Sequence, residues 1–120
     1  MEKELFDYVK ERAEIIAAAG SSKQETKDAA QAWLDAVAAD EAAADDASAK
    51  LVDYLDGRPR TIDGLISFLE GPGKEVFGEE EAAKRLAEQK ERKDAGAKFC
   101  ACPTCTAASE ILAKFGRVEL

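Results

Sequence analysis

The chain contains no histidine. That absence removes the usual general base, the Ser-His-Asp and Cys-His constellations, and the commonest metal ligand. No apolar run approaches the ~20 residues that cross a bilayer. Met1-Glu2-Lys3-Glu4 is charged and no apolar signal core follows it, so the sequence predicts a cytoplasmic protein, where thiols are kept reduced. Runs of β-branched residues are scarce, and strands have little to build on. Positive charge is in deficit: the net charge is −8 and the sequence pI is about 4.6. An acidic surface repels phosphate backbones and anionic lipid, so the expectation is no nucleic acid and no membrane among its partners.

What is present points to helices. Hydrophobic residues make up 46% of the 120 and charged residues 35%. Alanine is the commonest residue, and it has the highest helix propensity. The length is that of one ordinary domain, residues 1–120, able to bury a core without disulfides or a structural metal. No fixed-period repeat or low-complexity linker interrupts it.

Leu5, Val9, Ala13 and Ile16, broadened by Phe6 and Ile15, predict a first helix from about Lys3 to Ala19, stopped by Gly20. Ser22-Lys23-Gln24-Glu25 reads as a capping box that opens a second helix, about Lys23 to Ala38. That helix carries Ala30, Trp33, Leu34 and Val37 on one side, with Trp33 in the core. Asp40 can cap a third helix that ends near Asp56, with Ala43, Ala47, Leu51, Tyr54 and Leu55 inward. A bent continuation of the second helix fits the same residues.

Thr61 caps a short, strongly apolar helix with Ile62, Leu65, Ile66 and Leu69, ended by Gly71-Pro72-Gly73. Lys74 to Gly78 is a turn or a single helical turn. Glu79-Glu80-Glu81 opens a helix to about Asp94 whose apolar stripe is thin. The last helix runs from Pro103 to near Phe115, with Ala108, Ile111, Leu112 and Phe115 buried and Gly116 after it. The expected fold is all-α, a compact bundle of five or six short helices. A homodimer is the way to cover its thin-faced members.

All three cysteines fall within six consecutive residues, Cys100-Ala101-Cys102-Pro103-Thr104-Cys105. Proline favours the first helical position, which makes Cys102 the N-cap and Cys105 the third helical residue. The Cys102 sulfur then faces unpaired N–H groups and the positive helix end, which favour thiolate over thiol. Cys-Pro-x-Cys at a helix start is the arrangement of thiol–disulfide oxidoreductases. Cys102 and Cys105 are therefore the candidate catalytic pair, Cys102 attacking and Cys105 resolving. Lys98 can add positive charge nearby.

The metal reading uses Cys100, Cys102 and Cys105 together. Three thiolates and one further ligand make a tetrahedral zinc site, two chains can supply six sulfurs, and soft Cu(I) accepts fewer ligands. Iron–sulfur clusters need a fourth cysteine that the chain lacks. The bland alternative is an interaction or chaperone-like module in which the three cysteines only pack as small hydrophobes.

Other charged groups read as surface. Asp45-Asp46, Glu79-Glu80-Glu81 and Glu88 to Glu91 lie on helix faces beside Lys84, Arg85 and Lys90. Arg58 and Arg60 flank Pro59 in a connector that can hold an anion. Phe77 beside Gly78 is a core lid or an exposed contact.

Two resemblances bear on these residues. The Cys-x-x-Cys on a helix is similar to that of the all-helical alkylhydroperoxidase-like proteins. That group also relays protons through a His, absent here, so the similarity stops at the cysteine pair. More broadly, Ala29-Ala30-Gln31-Ala32-Trp33-Leu34-Asp35-Ala36, Thr61-Ile62-Asp63-Gly64-Leu65-Ile66, Phe77-Gly78 and Ala95 through Cys105 resemble a small family of helical proteins from anaerobic bacteria. Its members often bear a heat-shock or chaperone label. The resemblance implies a shared fold and cysteine motif. An ATP-dependent chaperone has an α/β nucleotide domain for which this helical pattern leaves no room.

Overall fold

The structure is a computed structural model and describes residues 1–120. It is all-α, with seven α-helices rather than five or six, one short 3-10 turn and no strand. The helices are α1 (Lys3–Ala18), α2 (Gln24–Ala39), α3 (Ala44–Leu55), α4 (Ile62–Glu70), α5 (Gly73–Phe77), α6 (Glu79–Asp94) and α7 (Pro103–Lys114). The additional helix is α5, a single turn too short for a periodic signal.

Contacts divide the chain into two compact units. The first comprises Met1–Pro59 and Ala101–Leu120, the second Arg60–Cys100. In the first, α1 packs on α2 and α7, and α2 packs on α3. Its core gathers Val9, Ala13 and Ile16 from α1, Ala30, Trp33 and Val37 from α2, Leu51, Val52 and Leu55 from α3, and Ala107, Ala108, Ile111 and Leu112 from α7. Most are small or aliphatic, so the helices approach closely around one large side chain, Trp33.

Trp33 is 1% exposed, and its indole Nε1–H donates to Ser48 Oγ at 2.8 Å. The Phe6 ring lies 5.5 Å from it, centroid to centroid. Ser48 is a buried polar residue that periodicity alone does not pick out. The expected inward face of the third helix began at Ala43 and Ala47, but these are half-buried; Ala44 and Ser48 are buried instead. The 3-10 turn at Glu41–Ala43 causes the offset. It winds tighter than an α-helix, so the start of the inward face moves to Ala44 and Ser48, while Leu51 and Leu55 are buried as expected.

That turn also separates α2 from α3. Asp40 is extended (φ −158°, ψ 111°), and its carboxylate accepts from the Ala42 N–H at 3.0 Å. At the start of α2 the expected capping box is absent. Lys23 is the N-cap with no side-chain cap bond, because the Ser22 hydroxyl is engaged elsewhere. Between α1 and α7, Arg12 Nη2 reaches Glu110 at 3.3 Å while its guanidinium lies over the Tyr8 ring at 3.4 Å. Beyond α7, Arg117 forks onto Asp53 and Asp56, both at 2.7 Å. These two hydrogen bonds raise the pKa of the guanidinium, which stays charged at any working pH.

The second unit packs α4 on α5 and α6, and α5 on α6. Ile62, Ile66, Leu69 and Ala82 are its buried apolar residues. Thr61 caps α4 as expected, its hydroxyl accepting from the Gly64 N–H at 3.1 Å. Gly73 admits no side chain: a Cβ there would stand 2.9 Å from the Phe68 carbonyl oxygen. Of α6, Ala82 alone is buried, which matches its thin stripe. The Lys93 ammonium meets Asp63 at 2.6 Å, and that hydrogen bond raises its pKa. No helix is long and apolar enough to cross a membrane.

Ser48→Ala should cost about 1–3 kcal/mol, because it leaves the indole N–H buried without an acceptor. Urea unfolding measures the loss. Adding Trp33→Phe to Ser48→Ala should cost less than the sum of the two single changes, since neither partner is then orphaned. Strict additivity would show that the bond contributes nothing.

Candidate functional site: a three-thiol segment

The approach to the cysteine segment is set by the end of α6. Gly96 is at φ +100°, a left-handed conformation that glycine adopts without strain. The Gly96 N–H donates to the Lys93 carbonyl and the Ala97 N–H to the Arg92 carbonyl, both at 2.9 Å. This is the Schellman pattern, and it turns the chain sharply out of the helix.

The chain then runs antiparallel to the residues before α4. Thr61 and Phe99 form a single β-bridge. The Ile62 N–H donates to the Lys98 carbonyl at 2.9 Å, and the Cys100 N–H donates to the Arg60 carbonyl at 2.8 Å. Arg92 Nη2 donates to the Phe99 carbonyl at 2.9 Å. Backbone groups on both sides of the 99–100 peptide are thus engaged.

From Cys102 the local code is that of a helix start. Cys102 is the N-cap, extended at φ −62° and ψ 153°, and Pro103 follows at the first helical position. The Cys105 N–H donates to Cys102 Sγ at 3.3 Å, so the sulfur occupies the place a Ser or Asp oxygen takes in an ordinary cap. The Thr106 N–H donates to the Cys102 carbonyl at 2.9 Å.

Thr104, the variable residue of the Cys-Pro-x-Cys, ties this end of α7 to the α1–α2 turn. Its hydroxyl is 2.7 Å from both Ser21 Oγ and Ser22 Oγ. Ser22 Oγ in turn donates to the Ile16 carbonyl at 2.7 Å. This is what diverts Ser22 from the cap of α2. Neither serine stands out in the sequence as a partner of residue 104, because the pairing joins positions about eighty residues apart.

The sulfurs of Cys100, Cys102 and Cys105 lie within 4.8 Å of one another. All three residues are partly exposed, and no disulfide joins them. Three thiols in that arrangement are positioned to hold a metal ion. The grouped ligands are all sulfur, with no carboxylate among them.

The remaining sequence candidates are placed elsewhere. Lys98 is exposed, and it is its backbone carbonyl that organises the segment. Arg58 donates to the Tyr54 carbonyl at 2.6 Å and stacks on that ring, while Arg60 stacks on Phe68; neither points to an anion. Asp45, Asp46, Glu79, Glu80, Glu81, Glu88 and Glu91 are exposed. Phe77 is partly exposed, edge-on to Phe68 and beneath the Arg85 guanidinium. The sequence did not single out Arg92, which anchors Phe99.

Comparison with protein-family models, with curated proteins and with solved structures finds no match.

The cap geometry makes two predictions. Cys102→Ser should keep the stability of the protein, while Cys102→Ala should lose about 0.5–2 kcal/mol, the usual cost of removing a cap acceptor. Thermal or urea unfolding of the two variants separates them, and equal losses would remove the capping role. Rates of alkylation against pH, followed by peptide mapping, should give Cys102 a pKa below the ordinary value of about 8.5. A value at or above it would mean that the helix start does not favour the thiolate.

Proposed function

We propose that this protein works through its thiols, binding a thiophilic metal ion such as zinc through Cys100, Cys102 and Cys105. The observation that carries the reading is the approach of the three sulfurs to within 4.8 Å. A tetrahedral zinc–thiolate site with bonds of about 2.3 Å needs sulfurs about 3.8 Å apart. The N-cap position of Cys102 supports the same chemistry, since only a deprotonated sulfur is a good ligand.

A second reading has its own observation, the hydrogen bond from the Cys105 N–H to Cys102 Sγ. It stabilises a thiolate beside a second thiol, the arrangement of dithiol exchange. Cys102 thiolate would attack a substrate disulfide and release one substrate thiolate. Cys105 thiolate would then attack the mixed disulfide, leaving a Cys102–Cys105 disulfide and the second substrate thiol. The two readings compete for the same sulfurs.

Metal analysis of protein purified without chelator decides between them, together with a count of reactive thiols before and after oxidation. The metal reading expects about one ion per chain and thiols protected until a chelator is added. The exchange reading expects no metal, and the loss of two thiols on mild oxidation. Three thiols that bind nothing and resist oxidation would leave the cysteines a packing role only.

A further inference from the structure

We infer that the ion this segment suits is one satisfied by three sulfurs, monovalent copper, rather than one that needs a fourth ligand. The inference rests on the metal reading above and goes beyond it to the coordination number.

The donor set is uniformly soft. The grouped ligands are three sulfurs with no carboxylate, and the chain has no histidine to complete a mixed site. Soft thiolates select Cu(I), and Cu(I) accepts low coordination numbers. Zinc completes a tetrahedron and would have to recruit water or an outside ligand here.

The segment also withholds its only other side-chain donor. Between the cysteines stand Ala101, Pro103 and Thr104, of which the first two carry no donor. The Thr104 hydroxyl is 2.7 Å from each of two serine hydroxyls, and that engagement keeps it from an ion.

Geometry and charge agree. A planar three-sulfur site with bonds of about 2.3 Å spaces its sulfurs about 4.0 Å apart, wider than the ~3.8 Å of a tetrahedron. Sulfurs within 4.8 Å of one another are near enough for such a site. Three thiolates around one Cu(I) leave two negative charges. The positive end of α7 and the Cys105 N–H at Cys102 Sγ offset part of that excess. All three residues are partly exposed, which allows an ion to be passed in by ligand exchange.

The test uses the full chain, reduced and kept free of oxygen. Cu(I) is titrated in against a chromophoric Cu(I) chelator, Zn(II) is titrated in a separate arm, and X-ray absorption reads the ligands. The expected result is one copper per chain with three sulfurs and no lighter donor. Each of Cys100→Ser, Cys102→Ser and Cys105→Ser should lose at least the ~10–100-fold in affinity that even an outer-shell partner costs. Circular dichroism confirms that each variant is folded, and Cys102→Ser keeps a cap acceptor. Copper held by two sulfurs, with Cys100→Ser binding as well as the parent, overturns the inference. So does a bridged cluster of several coppers, or zinc with three sulfurs and a lighter fourth donor where copper lacks the third sulfur. In those cases the broader metal reading survives. Failure to bind either ion sinks both.

Discussion

The first unit is organised by a single buried polar contact, the indole N–H of Trp33 on the Ser48 hydroxyl. Its surroundings are mostly alanine, valine, leucine and isoleucine, which pack without directional preference. Many relative rotations of such helices bury similar area. A buried N–H that has lost water must find an acceptor, and only one rotation of α3 supplies it. The contact therefore selects the face that α3 turns inward, and with it the places of Leu51, Val52 and Leu55. The Phe6 ring, 5.5 Å from the indole, brings α1 to the same point.

The cysteine segment shows one residue meeting two demands. Cys102 ends the extended backbone before α7 and accepts the N–H of Cys105, as any capping residue must. The same placement turns its sulfur toward the positive helix end, where a thiolate is favoured. A serine would serve the cap as well and would be useless as a soft ligand. Cys100, by contrast, owes its place to backbone pairing with Arg60 and not to the helix. Capping thus fixes the sulfur of Cys102, while the other two cysteines are ordered by their neighbours' backbone and by the first turn of α7.

Much of this was legible in the sequence because the signals are local. Pro103 after Cys102 marks a helix start whatever surrounds it, and Gly96 and Gly116 mark stops for the same reason. Thr61 caps α4 with a hydroxyl three residues from the N–H it accepts. The all-α class and the cysteine cluster follow from composition and adjacency. The misread features are those settled at a distance. Ser22 looks like the cap of α2 but bonds Ile16 and Thr104. Ala43 and Ala47 look inward, but behind the 3-10 turn it is Ala44 and Ser48 that are buried at the start of α3.

The sequence by itself determined that this chain is helical, where most of its helices begin and end, and that its three thiols are confined to six residues. Each of these rests on interactions within a turn or two of chain, which the residue types decide directly. Tertiary structure alone decided that α2 and α3 are separate, that Ser48 completes the core, and that Ser21 and Ser22 occupy the Thr104 hydroxyl. It also decided that the three sulfurs converge closely enough to share an ion. The physical reason is the same in every case. A polar or ligating side chain has several local partners open to it, and only packing shows which of them it can reach.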